Sequence, residues 1–191
     1  QRAFEAGESV WSLTDHDTNS GWKEAQEACD KLGIKFIPGV EITCEVEIKS
    51  ETHNPTSWHL LAYFPDVASD EFTSWLMELS EARVPRMKLM LKALKEHGHD
   101  IALEDVEKNA EGSLGRPHLA RAMVESGVVE SVDEAFAKWI GDGCPAFRER
   151  PLPSISEAVE AVHQAGGITS LAHPKYYGIS MDILVPQLLK L

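Results

Sequence analysis

Apolar residues recur with two different spacings along this 191-residue chain. Short continuous or alternating apolar runs predict strands at 10–13, 34–37, 40–46, 58–64 and 168–172. A helical spacing joins Trp22, Ala25, Ala28 and Leu32, and Gly33 follows as a typical C-terminal stop. A polar stretch at 49–57 predicts a loop before the fourth strand. Strands that alternate with helices predict an α/β fold, either a barrel or a doubly wound sheet.

The middle of the chain, residues 70–150, shows helical spacing alone. Phe72 and Leu76 belong to one apolar stripe of this stretch, which indicates a buried helix face. The alternation of strands and helices resumes after residue 150. There Ser154 and Glu157 have the spacing of a capping box that begins another helix. The sequence therefore divides into an α/β domain over 1–69 and 151–191, and a helical insert domain over 70–150.

Charge and cysteine content narrow the possible functions. A net charge of −13 repels polyanions, so we expect no binding of duplex DNA, although a small phosphorylated substrate stays possible if metal ions meet its charge. Every apolar run is shorter than the roughly 20 residues that cross a bilayer, so we expect no membrane association. Cys29, Cys44 and Cys144 form no Cys-x-x-Cys pair. This favours a reducing, cytoplasmic location over a disulfide framework or a thiolate zinc site.

Four of the predicted strands carry a histidine or an acid near one end. His16 follows the first run, Glu41 lies in the third, His59 begins the fourth and His173 follows the last. Because α/β enzymes place their active sites at the C-terminal ends of strands, we expect these four side chains to meet. Imidazole nitrogen and carboxylate oxygen are ligands of borderline divalent ions. The pattern therefore predicts a metal site.

Each of these residues also has a purely structural interpretation. His16 can cap the helix that follows it, His59 can be a satisfied core histidine, and His173 can simply end a strand. Glu41 lies inside an apolar run, where an unpaired carboxylate costs several kcal/mol. It therefore requires a cation or a hydrogen-bond network, and the pattern alone leaves both open.

Five motifs, in order along the chain, resemble those of the polymerase and histidinol phosphatase (PHP) superfamily. They are Leu13-Thr14-Asp15-His16-Asp17, Pro38-Gly39-Val40-Glu41-Ile42, Trp58-His59-Leu60-Leu61-Ala62-Tyr63, Gly115-Arg116-Pro117-His118-Leu119-Ala120 and Ala172-His173-Pro174. Their order and spacing match over essentially the whole chain. The helical insert makes the chain most similar to the bacterial nucleoside 3′,5′-bisphosphate phosphatases and RNA 5′-exonucleases.

This resemblance implies a distorted seven-stranded β/α barrel, (β/α)7, only part of which lies in this chain. The barrel would hold up to three divalent ions (Mn, Zn or Fe). Glu41 is implied to bridge two of them, His59 and His173 to bind the second ion, and His16 to bind the third.

Further positions that match the family's motifs are implied to support the metal ligands. Asp15 and Asp17 would orient the histidine between them. Arg116, His118 and Lys175 would face the substrate phosphate. Arg116 and Lys175 would neutralise its charge, and the His118 imidazole would donate a proton to the leaving oxygen. The structural alternative for His118 is a residue at a helix start that packs locally.

The implied activity is hydrolysis, by a metal-activated hydroxide, of a nucleotide phosphomonoester of the 3′,5′-bisphosphate type or of a 5′-terminal RNA phosphodiester. Two alternatives stay open: a phosphatase for a metabolite such as histidinol phosphate, and a non-catalytic PHP module. Aromatic or apolar side chains near Arg116 would favour a nucleotide. The family's first His-x-His motif and last Asp-x-His motif have no counterpart between Gln1 and Leu191, so we expect the chain to be part of a longer protein.

Overall fold

A computed structural model describes residues 1–45, 57–110 and 112–190 of the chain. The loop predicted at 49–57 therefore lies outside the described residues except for its last position. The same holds for residue 46, the predicted end of the third strand.

Helices and strands alternate at both ends of the described chain, and helices alone fill its middle. In chain order the elements are α1 (Arg2–Glu5), β1 (Val10–Leu13), α2 (Trp22–Leu32), β2 (Lys35–Cys44), β3 (Trp58–Tyr63), α3 (Asp70–Glu81), α4 (Arg83–Glu96), α5 (Leu103–Glu107), α6 (Arg116–Glu125), α7 (Val132–Ala135), a π-helix (Phe136–Ile140), α8 (Ile155–Gln164), β4 (Ile168–Leu171), a 3-10 helix (Pro174–Tyr177) and α9 (Met181–Leu188). This confirms the predicted α/β class. In the described ranges, no helix combines the length and the apolar character of a membrane span.

The chain folds into two compact units. The first comprises Gln1–Met77 and Leu152–Leu191, and the second comprises Glu78–Pro151. The first unit holds the sheet and the second is helical. The division into domains over 1–69 with 151–191 and over 70–150 stays a prediction.

The strands of the described residues form a four-stranded sheet in the order β1-β2-β3-β4. β1 runs parallel to the first half of β2, from Val10↔Lys35 to Leu13↔Pro38. β3 runs antiparallel to the second half of β2, and β4 runs antiparallel to β3. The sheet is therefore mixed, although strand–helix alternation is typical of parallel sheets.

The prediction of two separate strands at 34–37 and 40–46 is wrong, because the single strand β2 passes through Pro38-Gly39 without a break. The Pro38 carbonyl accepts a hydrogen bond from the Phe64 N–H at 2.9 Å, which secures the strand where proline lacks a donor. A Cβ at residue 39 would collide with Ser12 Oγ and lie 2.9 Å from Thr14 Cγ2. Glycine therefore allows β1 to pass close to β2 at this point.

The two-residue period of β2 and β3 separates a core face from a polar face. The buried side chains of the core face are Val40, Ile42, Cys44, Trp58, Leu60 and Ala62. α8 packs against β2, β3 and β4, and α2 packs against β1 and β2. Each large apolar side chain buried in this way contributes roughly 1.5–3 kcal/mol. The opposite face carries Glu41 and His59.

The helical unit has its own apolar core. Its most buried members include Met90, Leu94, Leu119, Met123 and Ile140. The helix predicted to run from Ser131 to Ile140 is instead α7 followed by the π-helix. Ser131 Oγ caps it by accepting from the Glu134 N–H at 3.1 Å.

Candidate metal centre

Three imidazoles surround the carboxylate of Glu41. Its Oε1 lies 2.8 Å from His59 Nδ1 and 3.0 Å from His173 Nε2. Its Oε2 lies 3.9 Å from His16 Nε2. The Glu41 side chain is 13% exposed, whereas those of His16 and His173 are 43% and 52% exposed. The four residues predicted to meet therefore come together at one partly open site.

Sheet register explains how Glu41 and His59 meet. Thr43 is the partner of His59 across β2 and β3, and Leu61 is the partner of Glu41. The two site residues are thus diagonal neighbours on the same face, which is within reach of long side chains. β4 ends beside the start of β3, since Leu171 pairs with Leu60, and this delivers His173 two residues later.

Two of the four site residues do not lie at the C-terminal end of their strand. His59 is the second residue of β3, and Glu41 lies three residues before the end of β2. The side chains still converge because β3 is antiparallel to both of its neighbours, so its start lies beside their ends.

His16 reaches Glu41 through an isolated parallel bridge between the two backbones. The Asp17 N–H donates to the Glu41 carbonyl at 3.0 Å, and the Glu41 N–H donates to the Asp15 carbonyl at 3.1 Å. The fully buried Asp17 carboxylate also accepts from the Thr43 N–H at 2.6 Å. These bonds fix the segment that carries His16 against β2.

Two site residues have an unusual backbone conformation. Asp17 and His173 have φ of 53° and 50°, the positive values found among the described non-glycine residues. Such conformations cost free energy and persist where surrounding contacts enforce them, commonly at functional sites. At His173 the turn ends β4 and begins the 3-10 helix.

The electrostatics of the site favour an ionised Glu41. Burial by itself raises the pKa of Glu41, but the hydrogen bond from His59, the positive potential of His16 and the hydrogen bond from His173 outweigh it and hold the pKa below its usual value. Burial raises the pKa of Asp15, against the opposing effect of His16. The site therefore offers one ionised carboxylate among three imidazoles.

The donor set fits a divalent ion. Ligand atoms of His16, Glu41 and His59 all lie within 4.8 Å of one another. Two imidazoles and a carboxylate are a set that Zn²⁺, Mn²⁺ or Fe²⁺ accepts. His173 contacts the same carboxylate oxygen as His59, so it lies beside this group of ligand atoms.

Tyr177 and Ser57 support His59 in ways that sequence reasoning missed. Tyr177 Oη accepts a hydrogen bond from the His59 backbone N–H at 3.0 Å, and its ring stacks on Trp58 with centroids 4.8 Å apart. Ser57 Oγ lies 3.4 Å from His59 Nε2, the ring nitrogen that faces away from Glu41. The available signal was Tyr177 itself, an aromatic residue four positions after His173, but spacing alone does not identify its partner.

The residues expected to face substrate phosphate lie in both units. Lys175 is exposed in the 3-10 helix of the first unit. Arg116 belongs to the helical unit, where it forms an ion pair with Asp142 at 2.8 Å. Its guanidinium lies 5.6 Å from the centroid of the Phe136 ring and 5.4 Å from that of Phe147. Arg116 is therefore already engaged by structural contacts.

His118 caps the N-terminus of α6. Its Nδ1 accepts a hydrogen bond from the Gly115 N–H at 3.0 Å. Burial, followed by the charges of Arg121 and Arg83, lowers the pKa of His118. The local helix-start interpretation of His118 thus has direct geometric support.

A mixed α/β sheet that gathers three imidazoles around one carboxylate defines the class: an α/β protein with a candidate divalent-metal centre. No family model matches the chain. A 5′-3′ exoribonuclease from Haemophilus influenzae is 32% identical over 179 residues, which are 94% of this chain and 63% of the relative. A 3′,5′-nucleoside bisphosphate phosphatase from Chromobacterium violaceum is 27% identical over 190 residues, which are 96% of this chain and 62% of the relative.

A solved structure from Bifidobacterium adolescentis, provisionally assigned as a metal-dependent phosphoesterase, has a TM-score of 0.81 and 31% identity, covering 98% of this chain and 66% of that one. The chain is therefore a homologue of bacterial 5′-3′ exoribonucleases and nucleoside bisphosphate phosphatases, which confirms the predicted resemblance and is consistent with the PHP superfamily. It spans about three fifths of the length of these curated relatives.

Proposed function

We propose that the protein is a metal-dependent phosphoesterase. Its substrate would be a nucleotide phosphomonoester of the 3′,5′-bisphosphate type or a 5′-terminal RNA phosphodiester. The observation that carries this proposal is the position of Glu41, whose two oxygens face three imidazoles within 2.8–3.9 Å. The names of the two curated relatives support the substrate class.

His16, Glu41, His59 and His173 would hold the metal, up to three ions of Mn, Zn or Fe in the intact site. When bound, such ions activate water as a nucleophile and neutralise phosphoryl charge. Glu41 enters this role already ionised, because its histidine partners hold its pKa low. The imidazole nitrogens that face Glu41 would coordinate the metal through their lone pairs.

The residues around the ligands fix their orientation. Asp17 holds the segment of His16 against β2 through the Thr43 N–H. Tyr177 holds the backbone of His59. Such supporting contacts commonly change metal affinity or activity by about 10–100-fold when removed.

Substrate phosphate is assigned to Arg116, His118 and Lys175. Arg116 offers a planar guanidinium suited to bidentate phosphate contacts. His118 uses Nδ1 as an acceptor for the Gly115 N–H, so its neutral ring carries a proton on Nε2. This Nε2–H would donate a hydrogen bond to the phosphate, and transfer of a proton from His118 to the leaving oxygen stays a prediction.

We further propose that the protein has a barrel fold and a cytoplasmic location. The sheet would be part of a distorted (β/α)7 barrel. Cys29 and Cys144 are free cysteines. Free thiols support a reducing, cytoplasmic location.

One observation favours a nucleotide over an amino-alcohol metabolite such as histidinol phosphate. Phe136 and Phe147 lie beside Arg116. Aromatic rings provide surfaces on which a base can stack, whereas a small cationic metabolite favours an acidic cleft. A non-catalytic module would require no ionised carboxylate among imidazoles.

The test is the metal content of the protein, followed by Mn²⁺-supported hydrolysis of 3′-phosphoadenosine 5′-phosphate and of a short 5′-phosphorylated RNA. Glu41→Gln is expected to lower metal content and to reduce turnover by roughly 100-fold or more. Glu45→Gln is the matched control, because Glu45 is an exposed carboxylate four residues further along. Full turnover by Glu41→Gln would overturn the proposal.

A further inference from the structure

The three imidazoles of the candidate metal centre begin a row of aromatic rings that ends at Tyr176. The ring centroids of His16 and His59 are 4.8 Å apart. His173 follows, with its centroid 5.9 Å from that of His59 and 6.2 Å from that of Tyr176. The neighbouring rings meet edge to face, with interplanar angles of 73°, 75° and 73°. Because His173 also contacts Glu41 Oε1, one imidazole separates the Tyr176 ring from this carboxylate.

Tyr176 is exposed, whereas the residue that follows it is buried. The exposed fractions are 73% for Tyr176 and 4% for Tyr177. Tyr177 anchors the 3-10 helix, since its ring stacks on Trp58 and its hydroxyl oxygen accepts from the His59 N–H. The Tyr176 ring therefore lies on the open side of an anchored turn, beside His173.

The backbone that carries Tyr176 is held at both ends. The Tyr176 N–H donates to the His173 carbonyl at 2.8 Å, which closes the 3-10 turn. Positive φ values at His173 (50°) and Gly178 (65°) begin and end this short helix. A tyrosine has two side-chain torsions and loses little conformational entropy when it makes a contact. Tyr176 is thus a nearly preorganised aromatic surface at the edge of the metal centre.

We propose that Tyr176 is the surface on which the base of a nucleotide substrate stacks while the phosphate of the same nucleoside lies at the metal centre. In a nucleotide the sugar alone separates the phosphate from the base. The spacing of Glu41, His173 and Tyr176, with one ring between carboxylate and phenol, suits such a molecule. The phenol is uncharged, so it adds no repulsion to a phosphate, and every base offers a π-face to stack on it.

This inference rests on the proposed function for the phosphate at the metal centre, and it adds recognition of the group that carries the phosphate. Metal ions stabilise phosphoryl oxygens whatever the rest of the molecule is. Stacking on Tyr176 would favour a nucleotide over a base-free sugar phosphate and would tolerate different bases. Tyr176 belongs to the same compact unit as the four candidate ligands, so the inference requires no residue of the helical unit.

The test is calorimetric binding of two probes to the intact protein in the presence of Mn²⁺. The probes are adenosine 5′-phosphate and ribose 5-phosphate, which lacks the base. Tyr176→Ala is expected to weaken binding of adenosine 5′-phosphate roughly 5–100-fold and to leave binding of ribose 5-phosphate unchanged. Tyr176→Phe and Tyr176→Trp keep an aromatic face and are expected to bind both probes as the parent protein does.

Phe4→Ala is the matched control, because it removes another exposed aromatic ring, on α1. It is expected to leave the binding of both probes unchanged. The metal content of Tyr176→Ala is expected to equal that of the parent protein, since Tyr176 is not among the proposed metal ligands.

Turnover gives a readout that a purely structural role would not produce. With 3′-phosphoadenosine 5′-phosphate as substrate, Tyr176→Ala is expected to raise KM by a factor similar to the loss in binding and to leave kcat unchanged. The reason is that stacking of the base is the same in the ground state and the transition state. Tyr176→Phe is expected to restore the parent KM.

Parent-like binding of adenosine 5′-phosphate by Tyr176→Ala, or an equal loss for the two probes, overturns the inference. A fall in metal content also overturns it, because the ring would then only pack against His173. Tyr176-dependent binding of the base without metal-dependent turnover contradicts the proposed function alone. Metal-dependent turnover with the same preference for the base in Tyr176→Ala and the parent protein contradicts this inference alone, and neither binding nor turnover contradicts both.

Discussion

Tyr177 and His59 are joined by a hydrogen bond across 118 positions of sequence, from the backbone N–H of His59 to the phenolic oxygen of Tyr177 at 3.0 Å. Tyr177 is 4% exposed and its ring is nearly parallel to that of the fully buried Trp58. The 3-10 helix after His173 thereby returns to the strand that carries His59. Tyr177 thus connects the segment that follows His173 to the backbone of His59, and both histidines contact Glu41 Oε1.

Tyr177→Phe should preserve the stacking on Trp58 and remove the acceptor for the His59 N–H. We expect a loss of roughly 1–3 kcal/mol in the free energy of unfolding, because a buried donor is left without its partner. We also expect weaker metal binding, measured by calorimetry. Tyr176→Phe is the control, since Tyr176 is 73% exposed. Unchanged metal affinity in Tyr177→Phe would show that this bond does not position His59.

Gly39→Ala should disturb the junction of β1 and β2. The new methyl group would collide with Ser12 Oγ and approach Thr14 Cγ2. We expect a loss of about 1–3 kcal/mol in the free energy of unfolding, as for other overpacked sites. Adding Ser12→Ala should restore part of this loss in denaturant unfolding. A fully stable Gly39→Ala protein would contradict the close approach.

Asp17 should tolerate asparagine better than alanine. Asparagine keeps an oxygen for the Thr43 N–H and accepts a positive φ, whereas alanine provides neither. We expect Asp17→Ala to lose roughly 2–4 kcal/mol in chemical unfolding, and Asp17→Asn less than half of that. Equal losses for the two variants would mean that the charge of Asp17, and not its geometry, maintains the site.

His118 should make stability depend on pH in the weakly acidic range. Burial and the charges of Arg121 and Arg83 lower the pKa of His118, so folding favours the neutral ring that accepts from the Gly115 N–H. Its contribution is present above the ordinary pKa of 6.5 and is lost as pH falls through the lower folded value.

His118→Gln keeps a cap acceptor but does not titrate. Between about pH 7.5 and about pH 5 its free energy of unfolding should fall less than that of the parent protein. Parallel pH profiles for the two proteins would show that His118 does not carry this dependence.

Local signals predicted the helices well. Gly33 ends α2 with φ of 69°, and Ser154 with Glu157 forms the predicted capping box of α8, with bonds of 2.8 and 3.1 Å. Such signals work because a helix end is stabilised by atoms within a few residues. The short helix α5 was not predicted, since its five residues present too little periodicity.

Strand direction could not be predicted in the same way. β3 lies antiparallel to β2 and β4, and that choice depends on contacts between distant segments. The four candidate ligands were nevertheless identified, because each is a polar residue beside an apolar run. Their coming together around Glu41 is now visible, whereas their role as metal ligands stays a prediction. Tyr177 was missed because its partner is a backbone group, which leaves no trace in the residue pattern.

β2 is shared between a parallel neighbour on its first half and an antiparallel neighbour on its second. Inserting or deleting a single residue within it would turn the Glu41 side chain toward the apolar layer beneath and bring Val40 or Ile42 to the histidines. Length changes should therefore be tolerated beyond the ends of this strand and rejected within it. The direction of the Glu41 side chain is therefore fixed by two separate strand pairings, β1 with β2 and β2 with β3. A change of register in one pairing is opposed by the other.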